Sequence, residues 1–224
     1  MHRISAIAVP AAAFCLGVWG AAVAQRSDGN SLPADIDPES LSRLPALTRD
    51  QLDAEGQAAW DLVNGDNRPL TGAGAVSMYS PKVAEGFHIL NQYLRFNGVL
   101  EPRDYEVVIM QAAWEFEQRY EWAAHEGASR RLGIPEAVID TIKFDRPIGS
   151  DIGSRDALLI RYARALLRDH EVSSALYAEV VDTFGQRGMV DLATIMGDYI
   201  MVGFVLTAAD QHLPPNMQDT LPER

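Results

Sequence analysis

From Leu41 to Gln211 the chain is cut by Pro, Gly and Asn-Gly steps into segments whose apolar residues recur at helical spacing. No alternation of apolar and polar residues lasts long enough to make a strand. That feature restricts the fold to packed helices, because a sheet needs runs whose side chains alternate between two faces. Thr48 with Gln51 makes a capping box ahead of a segment running to Val63, where Asn64-Gly65 stops it. Gly65, Pro69, Gly72 and Gly74 mark residues 65–79 as a loop. Ser80-Pro81 opens a helix with Val83, Phe87, Leu90 and Leu94 on one face, ended by Asn97-Gly98. Pro102 opens the next, and a segment from Arg119 to Leu132 closes at Gly133. No Gly or Pro marks a break between these two near Glu117. Pro135 starts a short helix to Ile142, and further helices are expected over 154–168, 174–184 and 189–210. The expectation is an all-α domain, a compact bundle of about seven to eight helices.

The last of these helices is apolar nearly all round, with Met189, Val190, Ile195, Met196, Ile200, Met201, Phe204 and Val205. Such a helix calls for burial on most sides. Burial against a second copy of the chain is therefore expected, with Gly197 and Gly203 permitting close approach. Asp191, Asp198 and Asp210 interrupt the run, so no membrane span is expected in the mature chain.

The N-terminus begins Met1-His2-Arg3, continues apolar from Ile4 to Ala24 and ends Ala22-Val23-Ala24-Gln25. A basic start, an apolar centre and small residues at both cleavage positions describe an export signal over 1–24. Cleavage after Ala24 would place the mature chain in the periplasm or outside the cell. Residues 25–40, rich in Ser, Pro, Asp and Gly, read as a flexible linker before a helical domain over 41–224. The single cysteine, Cys15, falls inside the signal, so the mature protein would hold no thiol and no disulfide. The net charge of −12, without any run of Lys and Arg, argues against nucleic acid as a partner.

Four polar residues stand inside the apolar helical region: Glu106, Gln118, Glu121 and His125. Glu121 and His125 are four apart on one helix face and within reach of each other. On a helical wheel Arg119, Glu126 and Arg130 mark the solvated side, and Glu121 and His125 fall in the sector that should be buried. Ionisable groups in a buried sector need a partner or a purpose, and His titrates near neutral pH. Glu106, Glu121 and His125 are accordingly the candidate catalytic set for proton transfer. Tyr120 and Trp122 flank Glu121 and, with Gln118, are the candidate substrate contacts. His88 reads as packed or exposed rather than catalytic. There is no phosphate-binding loop, no dinucleotide fingerprint, no Gly-x-Ser-x-Gly elbow and no His-Glu-x-x-His, so neither metal nor organic cofactor is expected.

Over roughly residues 41–215 the sequence resembles the carboxymuconolactone decarboxylase family, which includes the alkylhydroperoxidase D-like proteins. The resemblance rests on Tyr93-Leu-Arg-Phe, Leu100-Glu-Pro-Arg-Asp-Tyr-Glu106-Val-Val-Ile, Tyr120-Glu-Trp-Ala-Ala-His125 and Gly133-Ile-Pro-Glu. The peroxidase branch carries Glu, eleven residues, Cys, two residues, Cys, three residues, His. Here that spacing reads Glu106, Gln118, Glu121, His125, with both cysteines replaced. Thiol peroxidase chemistry needs a thiolate and a resolving thiol, so it is excluded. The resemblance implies an alkylhydroperoxidase D-like helical subunit that assembles into a homotrimer or homohexamer. It also implies cofactor-independent, decarboxylase-like or lyase chemistry on a small lactone or keto acid. The rival expectation is a protein that has lost its thiols and serves as a non-enzymatic binding or scaffold protein.

Overall fold

The computed structural model describes residues 32–65 and 70–223; the residues read as an export signal lie outside them. The fold is all-α, with eight α-helices and no strand among the described residues. They are α1 (Ala54–Val63), α2 (Gly72–Ser77), α3 (Pro81–Gln92), α4 (Pro102–Glu115), α5 (Arg119–Arg131), α6 (Glu136–Lys143), α7 (Ser154–Arg164) and α8 (Ser174–Ala208).

The centre is α4, in which every residue from Asp104 to Trp114 is buried. Its apolar side chains join Trp122 of α5, Val138, Ile139 and Ile142 of α6, Leu159 and Ile160 of α7, and Leu192, Ile195 and Met196 of α8 in one core. A helix buried all round must satisfy its polar side chains internally. Asp104 does so by accepting from Arg155 Nε and Nη2 at 2.7 and 2.6 Å. Pro102 sits in the first turn, where its missing N–H costs nothing, and the Glu101 N–H donates to Asp104 across the cap at 3.2 Å.

Several boundaries differ from the sequence expectation, each for a local reason. The Thr48/Gln51 box caps only a 3-10 turn; α1 itself starts behind Asp53, whose carboxylate accepts from the Gly56 N–H at 2.8 Å. Residues 65–79 are not all loop, because α2 forms within them; at six residues with two glycines it is too short to leave a periodic signature. Between α4 and α5 the chain does break, and the turn is made by Glu117 at φ 52°, a left-handed conformation held without glycine. Gly185, at φ 73°, kinks α8 and separates the two helices expected at 174–184 and 189–210.

Residues 33–40, expected as part of a linker, fold into a turn with Ile36 buried. Arg43 N–H donates to the Ala209 carbonyl, and His212 N–H donates to that of Leu41. By length and composition α8 is apolar enough to cross a membrane, yet half of its most apolar window is buried inside the molecule. Asp191 and Asp198 are among its buried residues. Gly203 faces inward. A Cβ there would meet the Gln118 side chain of the same chain, so the close approach it permits is between α8 and the start of α5.

Candidate active site

The site is assembled by two local deviations from regular helix. At the end of α3 the chain makes a π-helical turn, Tyr93–Asn97, a wider winding often found at functional positions. Arg95 lies in it, donates to Glu106 Oε1 at 3.4 Å and to the Tyr199 hydroxyl at 3.1 Å, and covers the Tyr105 ring. The second deviation is the Glu117 turn. It closes with the Gln118 N–H donating to the Ala113 carbonyl at 2.9 Å, folding α5 back along α4.

That fold-back sets His125 against Glu106. Nδ1 lies 2.6 Å from Glu106 Oε2, and Nε2 lies 3.4 Å from Glu121 Oε2. The three side chains are 8%, 1% and 6% exposed. The Tyr199 ring stands edge-on to the imidazole with centroids 4.7 Å apart. Burial alone pushes the His125 pKa down. The hydrogen bonds to Glu106 and Glu121, reinforced by their charge, overcome it and raise the pKa to about 9. At neutral pH the ring is therefore an imidazolium clasped between Glu106 and Glu121, with Arg95 balancing Glu106 on the side away from the cavity.

His125 and Glu121 form part of the wall of a cavity of about 280 Å³. Asp198, Tyr199 and Val202 of α8 and Phe87, His88 and Asn91 of α3 close it, with small residues of α1, α2 and α3 on the remaining side. Asn91 Nδ2 donates to Asp198 Oδ2 at 3.4 Å and to the Tyr199 hydroxyl at 3.2 Å. Burial raises the Asp198 pKa to about 6, Asn91 opposes the rise, and the Glu121 charge adds to it. Burial also pushes the Tyr199 phenol up, so it stays protonated at any physiological pH.

Of the residues singled out from sequence, Glu106, Glu121 and His125 come together, and Glu121 and His125 face the cavity. Gln118 and Tyr120 line a separate groove of about 210 Å³, which Glu121 also borders. Gln118 is held there by its amide donating to the Ile200 carbonyl at 3.0 Å. Trp122 is elsewhere. It is fully buried, turned toward the C-terminal tail, and donates its indole N–H to Thr220 Oγ1 at 3.1 Å; it is absent from the cavity wall. Glu126, placed on the solvated side by the wheel, is buried too, accepting from Lys143 at 2.9 Å, Arg130 at 3.2 Å and Thr220 at 2.5 Å. The C-terminal tail covers that face, which a wheel of one helix cannot register.

His88, read as packed or exposed, is on the cavity wall. Asn91, Arg95, Asp198 and Tyr199 were not singled out as site residues. Asp198 left a usable signal, a carboxylate inside an apolar helix. Among the described residues no group of three His, Cys, Asp or Glu side chains is arranged to hold a metal ion.

No family model matches the chain, and no curated protein matches it. Among solved structures, it is similar to the crystal structure of an uncharacterized peroxidase-related protein from Silicibacter sp. TM1040. The TM-score is 0.62 at 17% identity, covering 80% of this chain and 94% of that one. The two proteins share an all-helical architecture. At this identity the likeness is one of fold alone, and the chemistry is left to the side chains each chain places in it. In this chain the only cysteine is Cys15, far in sequence from Glu106 and His125, and a carboxylate, Glu121, stands beside the imidazole.

Proposed function

We propose that this protein is a cofactor-independent acid–base enzyme, decarboxylase-like or lyase-like, acting on a small carbonyl or lactone compound. The observation that carries the reading is His125, fixed by Glu106 at 2.6 Å on one nitrogen and turned by the other toward Glu121 and the cavity. Glu106 holds the Nδ1–H and thereby the ring's orientation. The Nε2–H is then available to a substrate carbonyl oxygen, where it stabilises negative charge as an enolate forms. The Glu121 carboxylate beside it is placed to take a proton from the neighbouring carbon and to return it.

The resemblance to the carboxymuconolactone decarboxylase family supports this reading at Glu106 and His125; Glu121, which stands where the peroxidase branch has a cysteine, rests on its chemistry and its place beside the imidazole. The resemblance also suggests an acid as substrate. Two carboxylates on the cavity wall, Glu121 and Asp198, disfavour that part of the suggestion and favour a lactone or ketone. A screen of lactones, β-keto esters and keto acids on the wild type and His125→Ala tests the proposal. Turnover abolished by the substitution supports it. No turnover of any compound, or turnover indifferent to the substitution, favours a non-enzymatic binding protein.

A further inference from the structure

Asp198 is 1% exposed, it lines the cavity, and its Oδ1 has no hydrogen-bond partner. A buried carboxyl oxygen without a partner is costly, so such an atom is retained where something else completes it. Its other oxygen, Oδ2, already accepts from Asn91, so a proton on this carboxyl resides on Oδ1. Every element packed around it contributes to its surroundings. His88 and Asn91 face it from α3, Glu121 and His125 from α5, and Tyr199 from its own helix. Arg95 reaches Tyr199 from the π-helical turn, and Glu106 lies behind His125 on α4. Arg95, Glu106, His125 and Glu121 cancel in charge, which leaves Asp198 to decide the charge of the cavity.

We propose that Asp198 is the residue that selects and orients the ligand: its Oδ1 hydroxyl donates to the oxygen of a small uncharged carbonyl compound, and its ionised form repels carboxylates. Burial keeps the acid form populated into the range near neutrality, so the donor is present under mild conditions. The proposal deepens the acid–base reading but concerns binding, and is therefore tested without turnover.

The probes are cyclohexanone, cyclohexanecarboxylate and cyclohexylammonium, three rings of similar size and different charge, titrated into the protein and followed by NMR shifts of the Asn91 side-chain amide. Cyclohexanone is expected to bind, and to bind about tenfold more tightly near pH 5 than near pH 8, as the donor is lost. The carboxylate is expected to bind at least about tenfold more weakly than the ketone near pH 8. In Asp198→Asn, which cannot ionise, both differences should flatten. The wild-type pH dependence stands as a test by itself if that variant fails to fold. Equal or tighter binding of the carboxylate near pH 8, ammonium binding as tight as the ketone's near pH 5 where Asp198 is neutral, a pH-independent ketone affinity in the wild type, or no binding of any probe would overturn the proposal. Ketone binding without turnover of any substrate would leave it standing and remove the enzymatic reading instead.

Discussion

At the scale of single residues, the account turns on groups whose charge is set by where the fold puts them. Glu121→Gln keeps shape and removes the base, and should lower turnover on the order of a hundredfold with KM little changed, measured on whichever carbonyl substrate the screen returns. The pH dependence of stability follows from the same placement. His125 has a folded pKa raised from 6.5 to about 9, so its contribution is fully present below pH 6.5 and is lost as pH rises through about 9. Asp198 is raised from 3.8 to about 6, so its contribution is present below pH 3.8 and lost as pH rises through about 6. Thermal melts of the wild type and Asp198→Asn should therefore diverge in slope between these two values, and parallel curves would contradict the burial of Asp198. Glu106, Glu121 and His125 were legible in the sequence because polar residues at helical spacing stand out in an apolar run. Arg95, Asn91 and Tyr199 were not, because their relation to His125 is made by α3 and α8, distant in sequence.

At the scale of elements, two junctions hold α5 in place. One is the face toward the C-terminal tail, where Trp122 donates to Thr220 and Thr220 donates to Glu126, while Arg119 pairs with Asp219 at 2.8 Å. Thr220→Val removes one donor and one acceptor from buried partners and should cost about 1–3 kcal/mol, read as a fall in Tm. The other is the contact of Gly203 on α8 with Gln118. Gly203→Ala forces the Gln118 side chain aside and breaks its bond to the Ile200 carbonyl, again at about 1–3 kcal/mol, without changing the mass of the particle. The helices themselves were readable from Pro and Gly punctuation. The turn at Glu117 was not, since nothing in its residue type announces a left-handed backbone; tertiary packing imposes it. Nor was α2, whose six residues acquire a helical face only by packing on α8.

At the scale of the whole molecule, apolar side chains remain uncovered in one subunit: Phe96 is 65% exposed, Ile89 61% and Phe204 55%, with Val190 and Met201 continuing the outer face of α8. A homo-oligomer is the expectation, and light scattering at micromolar concentration should give a mass of two or more chains; a mass near one chain would sink it. The architecture was legible because helical periodicity and stop signals recur along the chain, whereas the cavity was not, since α1, α2, α3, α5 and α8 each supply only part of its wall. What unites these scales is an imidazole held charged by two carboxylates beside a cavity. NMR titration of His125 in the wild type and in Glu121→Gln tests that most directly. The ring is expected to stay protonated far above pH 6.5, titrating at about 9, with a clear downward shift when Glu121 is neutralised. A solvent-like titration near 6.5 in both proteins would contradict it.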